Sequence, residues 1–217
     1  MDEETSLKLR QYAGLLSAAN ARARLTGPSD PGVLYDEHIA DALPAVALLP
    51  KGCSFVDVGT GGGLPGLVWC LCRQDVSGVL LDSVGKKTAL LAEMTSELGC
   101  RNTEVVNMRS EDFARLRRES FDAATARAVA DARVLAEYLS PLVRVGGKLI
   151  VFKGSGARAE LGTSVKWETL GLSAPELRGY STAGRKMFLV IWEKTRPCGA
   201  RYPRKAGAAA KAPWWLA

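Results

Sequence analysis

The chain has 217 residues, of which 47% are hydrophobic and 24% charged, and its net charge is +6 at pH 7. This length and composition are typical of one globular domain with a sizeable core and exclude a disordered or fibrous chain. No apolar run reaches the ~18–20 residues that cross a bilayer, and the acidic start MDEETSLKLR lacks the pattern of a signal peptide. We therefore expect a cytoplasmic protein that has no membrane segment.

The first 50 residues have a helical pattern. Residues 5–24 show a rough apolar stripe, which predicts an amphipathic helix. Asp30 and Pro31 then supply an N-cap and a first-turn proline for a second helix, which we expect to run to about Leu49 with a kink at Pro44. We therefore predict that residues 1–50 form a helical extension packed on the core.

From Cys53 onward, short apolar runs alternate with helical patterns. Predicted helices cover about 64–73, 85–99 and 131–144, and a turn is expected at Gly146 and Gly147. The predicted strands are CSFVDV, SGVLLDS, TEVVNM, FDAATAR, KLIVFKG and KMFLVIWEK, with VKWETL (165–170) as a possible further strand in the weakly patterned region 155–185. This rhythm predicts an α/β fold over residues 51–194, a mostly parallel seven-stranded sheet with helices on both faces.

A glycine-rich loop follows the first predicted strand. In VGTGGGLPG, Gly61, Gly63 and Gly66 have the G-x-G-x-x-G spacing of dinucleotide-binding proteins. Asp82 lies 23 residues beyond Gly59 at the end of the second strand, where a carboxylate commonly accepts the hydroxyls of a ribose. We expect a nucleotide-like ligand; a tight turn without ligand, with Asp82 as a helix cap, is the alternative.

The charges around this loop distinguish two kinds of ligand. A pyrophosphate favours backbone N–H groups without a nearby carboxylate, whereas Asp57 lies just before the loop and would attract the ammonium and sulfonium of S-adenosylmethionine. The stretch Arg109-Ser110-Glu111-Asp112 follows the third strand, where it could bind the adenine edge. The pattern favours a methyltransferase, and an NAD-dependent oxidoreductase is the less favoured alternative.

The C-terminal residues 195–217 form a basic tail. Arg196, Arg201, Arg204, Lys205 and Lys211 give it a charge of +5, and the segment contains no acid. Its aromatic residues, in RYPRK and PWW, suit stacking on bases. The tail is either a solvated, poorly packed end or an arm that binds RNA phosphates, and we favour the arm.

Six motifs, in this order, resemble the RsmG (GidB) family of bacterial methyltransferases that act on small-subunit ribosomal RNA. They are DVGTGGGLPG, LLDSVGKKTALL, NMRSEDF, TARAVA, GGKLIVFKG and YPRKAGAAAKAP. The resemblance implies transfer of a methyl group from S-adenosylmethionine to N7 of one guanosine in 16S rRNA, on a Rossmann-like class I methyltransferase fold. The cofactor contacts it implies are Gly59, Leu64, Ser110, Glu111 and Arg127, to which we add Asp57, Gly61, Gly63, Asp82 and Ser83 from the pattern above.

Guanine N7 has an in-plane lone pair, so the implied reaction needs no general base. We expect Arg109 and Arg127 to position the cofactor carboxylate, RNA phosphate or guanine O6 edge. Residues expected to contact the substrate are His38, Lys86, Lys87, Lys153, Arg201, Arg204 and Lys205, although His38 could be a satisfied helix residue and the two helix lysines a solvated face. The expected partner is 16S rRNA or the small ribosomal subunit, and we expect a monomer without metal.

The sequence also departs from the family pattern before the second helix. Ala19-Asn20 and Arg24-Leu25-Thr26 replace the usual residues there, and Ala42 and Arg185-Lys186 are further departures. These changes leave one alternative, a catalytically altered protein that binds S-adenosylmethionine and RNA in a regulatory role.

Overall fold

The computed structural model describes residues 1–162 and 164–216. Its centre is a seven-stranded sheet in the order β3-β2-β1-β4-β5-β7-β6. The first five strands are parallel, and β7 is antiparallel to both β5 and β6. The strands are β1 (Ser54–Val58), β2 (Ser77–Asp82), β3 (Thr103–Asn107), β4 (Phe121–Arg127), β5 (Val143–Lys153), β6 (Glu176–Thr182) and β7 (Arg185–Glu193). The predicted α/β fold with a mostly parallel seven-stranded sheet is confirmed.

Helices cover both faces of the sheet. The α-helices are α1 (Glu3–Arg22), α2 (Pro31–Leu34), α3 (Ala40–Ala42), α4 (Gly66–Cys72), α5 (Gly85–Glu97), α6 (Ser110–Leu116), α7 (Ala132–Leu139), α8 (Ala157–Leu161) and α9 (Ala208–Lys211). On β2, Val79 and Leu81 pack in the cluster beneath α6 and α7, whereas Leu80 packs with α1, α4 and α5. Successive side chains of a strand point to opposite faces, so this continuous apolar run contributes to two cores.

The N-terminal helices support the glycine loop. The Tyr12 hydroxyl of α1 donates a hydrogen bond to the Gly62 carbonyl at 2.8 Å, and a Cβ at Gly62 would lie 2.5 Å from Leu16 Cδ1. The second helical region starts as expected, because the Asp30 side chain accepts a hydrogen bond from Val33 N at 2.9 Å. The region then differs from the single kinked helix that we predicted. A π-helical turn, Tyr35–Ile39, separates α2 from α3, and a 3₁₀-helix over Leu43–Leu48 contains Pro44, the predicted kink position.

Three local predictions were wrong. The possible strand at 165–170 is a 3₁₀-helix, Trp167–Leu170, and the sheet is instead completed by β6. The predicted turn at Gly146 and Gly147 lies inside β5, where the pairing with β4 shifts register between Phe121 and Ala123. The helix expected to reach residue 144 ends at Leu139, and a 3₁₀-turn over Ser140–Leu142, which contains Pro141, leads directly into β5.

The C-terminal segment, residues 195–216, packs against the core instead of forming a poorly packed end. Cys198, Tyr202, Ala209 and Trp214 are all buried. The Trp214 ring meets Trp167 edge to face, with 5.7 Å between centroids, and its indole N–H donates to Arg133 O at 2.9 Å. The basic residues of this segment therefore lie on a docked structure rather than on a free arm.

None of the described helices combines the length and the hydropathy of a membrane-spanning segment.

Candidate active site

A cleft of about 290 Å³ lies at the carboxyl ends of the parallel strands. The strand order reverses between β1 and β4, and ligands of open α/β sheets bind at such a switch point. Six of the predicted site residues line the cleft: Gly59, Asp82, Ser83, Arg109, Ser110 and Glu111. The predicted residues Asp57, Gly61, Gly63, Leu64 and Arg127 are not on its surface, and four of these five are buried.

Gly59 brings the backbone of the loop close to the opposite wall. Its φ is 72°, a left-handed conformation that glycine adopts without steric cost. A Cβ at this position would lie 2.5 Å from Val129 Cγ2, in the loop that follows β4. Gly59 N and Thr60 N both donate to Leu81 O, at 2.8 and 3.1 Å, which fixes the loop to the end of β2. The loop is thus a fixed, close-fitting edge of the cleft.

We expected Asp57 to face the ligand, but its side chain points to the inside of the glycine loop and does not line the cleft. It is fully buried, and its Oδ2 accepts hydrogen bonds from Thr60 Oγ1 at 2.7 Å and Gly66 N at 2.8 Å. Its Oδ1 is buried and has no hydrogen-bond partner among the described residues. Burial raises the pKa of Asp57 to about 6, against the lowering effect of the two hydrogen bonds. Asp57 therefore organises the loop, and any effect of its charge on a ligand is indirect.

Because the pKa of Asp57 is raised in the folded protein, we expect the free energy of unfolding to decrease as the pH rises. The ordinary value is 3.8 and the folded value about 6, so between them the folded protein keeps a proton that the unfolded chain has released. The wild type should lose roughly 2 kcal/mol of unfolding free energy relative to Asp57→Asn as the pH rises from about 4 to 7. Urea denaturation of both proteins across that range measures the difference, and a pH-independent difference would contradict the raised pKa of Asp57.

Asp82 is the carboxylate best placed to bind a ligand. It is 7% exposed and lines the cleft at the end of β2. Its Oδ2 accepts from Gly61 N at 3.0 Å and its Oδ1 from Val84 N at 2.9 Å, so the glycine loop and the start of α5 fix its orientation. Each oxygen keeps a second lone pair that can accept a hydroxyl proton. This arrangement fits the paired hydroxyls of a ribose.

The region beyond Asp82 combines an acid with apolar walls. Glu111, 5% exposed, accepts from Ser110 Oγ at 3.1 Å, and the side chains of Met108 and Val134 are also part of the cleft. A flat base needs apolar contact on its faces and hydrogen-bonding groups at its edge. The cleft therefore fits an adenine nucleoside that carries a positive rather than a negative charge, since its two buried acids would oppose a phosphate.

Arg127 connects the end of β4 to the N-terminal helices. Its Nη1 donates to His38 O at 2.8 Å and to Asp41 Oδ2 at 3.1 Å, while the Tyr180 hydroxyl donates to Asp41 Oδ1 at 2.7 Å. His38 thus contributes its carbonyl here, and burial, together with the nearby Arg127 charge, lowers the pKa of its imidazole. Any contact of Arg127 with cofactor and of His38 with substrate remains a prediction.

Lys153 has internal partners where we expected an RNA contact. Its ammonium donates to Ala130 O and pairs with Glu160 Oε2 at 2.7 Å. The same Glu160 oxygen accepts from Ala132 N at 2.8 Å, at the start of α7. Ala128, two residues before the first of these anchors, has a φ of 57°, a strained value for a residue with a Cβ. Lys153 therefore fixes the loop after β4 that lines the cleft.

The remaining predicted cations differ in accessibility. Arg109, Lys86, Arg201 and Lys205 are exposed, and Lys87 is half-buried. Arg204, by contrast, forms an ion pair with the buried Glu137 at 2.5 Å, so its side chain has an internal partner where we expected an RNA contact. The described residues contain no group of three or more His, Cys, Asp or Glu that could hold a metal ion.

Comparison with known proteins identifies the family. Residues 5–179 match the GidB family model, described as rRNA small subunit methyltransferase G. The chain belongs to this family. It is 38% identical over 212 residues to the ribosomal RNA small subunit methyltransferase G of Moorella thermoacetica, covering 94% of this chain and 88% of the relative. It is 40% identical over 225 residues to the protein of that name from Rubrobacter xylanophilus, covering 97% and 84%.

A solved structure supports the fold assignment. The chain superposes on an S-adenosylmethionine-dependent methyltransferase from Aquifex aeolicus with a TM-score of 0.58 and 16% identity, covering 83% of this chain and 98% of the other. At this identity the likeness shows the fold alone, and it confirms the predicted Rossmann-like architecture. Family membership excludes the NAD-dependent oxidoreductase, the alternative that the glycine spacing had left open.

Val129, Tyr138 and Ala210 are among the residues that line the cleft and that sequence reasoning missed. Val129 lies two residues after the end of β4, in the motif TARAVA, so its place after a parallel strand could have indicated it. Tyr138 lies on α7 and Ala210 in the C-terminal segment. Their positions depend on how that segment packs against α7, and no local pattern in the sequence indicates this packing.

Proposed function

We propose that this protein transfers a methyl group from S-adenosylmethionine to N7 of a guanosine in small-subunit ribosomal RNA. The observation that carries the proposal is the position of Asp82, a buried carboxylate fixed by two backbone N–H groups in a cleft of apolar and acidic residues. Family membership supports the reaction class and the RNA. The proposed location is the cytoplasm, where that RNA is assembled, and the proposed state is a monomer.

Each wall of the cleft has a role in this proposal. Asp82 would accept the ribose hydroxyls, Gly59 would allow the methionine portion to approach the backbone, and Ser110 and Glu111 would bind the adenine edge. S-adenosylmethionine supplies an electrophilic methyl group when it is bound. The protein needs no general base, because the lone pair of guanine N7 is available without loss of a proton.

The protein's contribution to the rate would be alignment and exclusion of water. Holding two reactants in line can supply several kcal/mol of the barrier reduction, roughly 7–11 kcal/mol at most. Arg109 is exposed at the edge of the cleft and its side chain has no hydrogen-bond partner among the described residues, so it is free to bind guanine O6 or a phosphate. The product guanine is cationic, which argues against an arginine placed directly at N7.

The test compares 16S rRNA from cells with and without the gene. Borohydride and aniline cleave RNA at 7-methylguanosine, and primer extension then maps the site. We expect one cleavage site in wild-type RNA that disappears in the deletion strain and returns when the wild-type gene, but not an Asp82→Ala variant, is restored. An unchanged cleavage pattern in the deletion strain would contradict the proposed reaction.

A further inference from the structure

The C-terminal segment reaches the cleft proposed to bind S-adenosylmethionine. Ala210, in α9, lines that cleft, and Gly207 N donates a hydrogen bond to Glu111 Oε1 at 3.0 Å. Both residues lie beyond residue 179, where the match to the family model ends. The segment, whose motif YPRKAGAAAKAP is among those that resemble the family, therefore contacts a side chain, Glu111, that we place at the adenine edge.

The contact with Gly207 orients the Glu111 carboxylate. One carboxylate oxygen accepts from Gly207 N and the other from Ser110 Oγ, and Glu111 is only 5% exposed. Among the described residues these are its two hydrogen-bond donors. Without the C-terminal segment, Oε1 would lose its backbone partner and the side chain would be free to rotate away from the cleft.

A partly buried ion pair holds the segment in place. Arg204 Nε donates to Glu137 Oε1 at 2.8 Å and Nη2 to Oε2 at 2.5 Å, a two-pronged interaction of the kind that fixes geometry as well as charge. Arg204 Nη1 also donates to Ala212 O at 2.7 Å, which closes the segment on itself. Glu137 is 2% exposed and lies on α7, the helix that also contributes Val134 and Tyr138 to the cleft.

We propose that residues 204–211, held by the pair of Arg204 and Glu137, form a wall of the S-adenosylmethionine site and orient Glu111 toward the adenine amino group. This inference rests on the proposed function, which supplies the ligand. Arg204 is a positioning residue, since it acts through Glu137 and Gly207. The basic segment then has two separable parts: an internal anchor at Arg204 and exposed cations that face solvent.

The expected effects are on donor affinity. Arg204→Met should raise the Kd for S-adenosylhomocysteine, measured by calorimetry, by about tenfold, because it leaves the Glu137 charge buried and unpaired and releases the wall. Arg204→Lys keeps the charge but loses the fork, so we expect an intermediate Kd. At saturating S-adenosylmethionine, the KM for RNA should stay at the wild-type value while the KM for S-adenosylmethionine rises.

Two matched controls and a second variant keep the test decisive. Arg196→Met removes an exposed arginine from the same segment and should leave the Kd unchanged. Ala210→Trp should also raise the Kd, by filling the cleft from an exposed position, whereas Ala200→Trp places the same side chain at an exposed alanine outside it. Ala210→Trp decides the question even if Arg204→Met does not fold.

The possible outcomes separate this inference from the proposed function. If Arg204→Met and Ala210→Trp bind S-adenosylhomocysteine like the wild type but bind RNA more weakly, the segment is an RNA arm and the inference is overturned. If both raise the Kd for S-adenosylhomocysteine and the controls do not, it is supported. A wild-type protein that does not bind S-adenosylhomocysteine at all would contradict the proposed function itself.

Discussion

Replacing Asp82 by alanine is expected to weaken S-adenosylhomocysteine binding by about 100-fold or more. A hydrogen bond to a charged group contributes roughly 1.5–3 kcal/mol, two ribose hydroxyls would share this carboxylate, and each 1.4 kcal/mol is a tenfold change in Kd. The loop should also loosen, because Gly61 N and Val84 N both lose their acceptor. Calorimetric titration of the two proteins with S-adenosylhomocysteine measures the effect.

The Asp82→Asn variant sharpens this prediction. Both carboxylate oxygens accept backbone N–H groups, one from Gly61 and one from Val84. An amide has one oxygen, so either orientation turns its NH₂ group toward one of these donors. We therefore expect Asn to be nearly as damaging as Ala. Asp112→Asn is the matched control and should bind like the wild type, because Asp112 is exposed and, unlike its neighbours Ser110 and Glu111, does not line the cleft. If Asp82→Asn bound S-adenosylhomocysteine as tightly as the wild type, Asp82 would not hold the ligand.

Most of the sheet could be predicted because its strands are buried on both faces. Buried parallel strands have continuous apolar sequences, as in the run Val79–Leu81 of β2, and glycine-rich turns mark their ends. The edge strand β6 has no fully buried side chain, and its sequence ELRGYST shows no alternation that would identify it. Convergence of strand ends likewise predicted six residues that line the cleft, since the ends of parallel strands meet at one edge.

The orientations of the charged side chains could not be predicted in the same way. Arg127 finds its partner Asp41 86 residues away along the chain, and Arg204 finds Glu137 67 residues away. Asp57 is adjacent to the loop in sequence, but only the fold shows that its carboxylate closes the loop from within. A local pattern can place such a residue near the site; which of its partners is a ligand and which is protein depends on tertiary packing.

Deleting residues 196–217 is expected to destabilise the whole protein. The deletion removes buried Tyr202 and Trp214 and uncovers Trp167, against which Trp214 packs. It also removes the Cys198 and Tyr202 carbonyls that accept from Arg118. Loss of one large buried aromatic costs about 3–5 kcal/mol, and domains are stable by only about 5–15 kcal/mol. We expect unfolded or aggregated protein, or a Tm lowered by more than about 10 °C, together with loss of donor binding.

Neutralising the exposed cations of the same segment distinguishes the effect of its charge on RNA binding from the effect of its buried side chains on stability. Arg196, Arg201, Lys205 and Lys211 are all exposed, so changing them together to glutamine removes four charges and leaves the buried side chains in place. We expect this variant to keep its Tm and its affinity for S-adenosylhomocysteine. Its RNA binding should weaken, with a shallower dependence on salt, by about one unit of slope for each phosphate that is no longer neutralised. If the protein without residues 196–217 instead folded with a normal Tm and bound S-adenosylhomocysteine, the segment would contribute only to RNA binding.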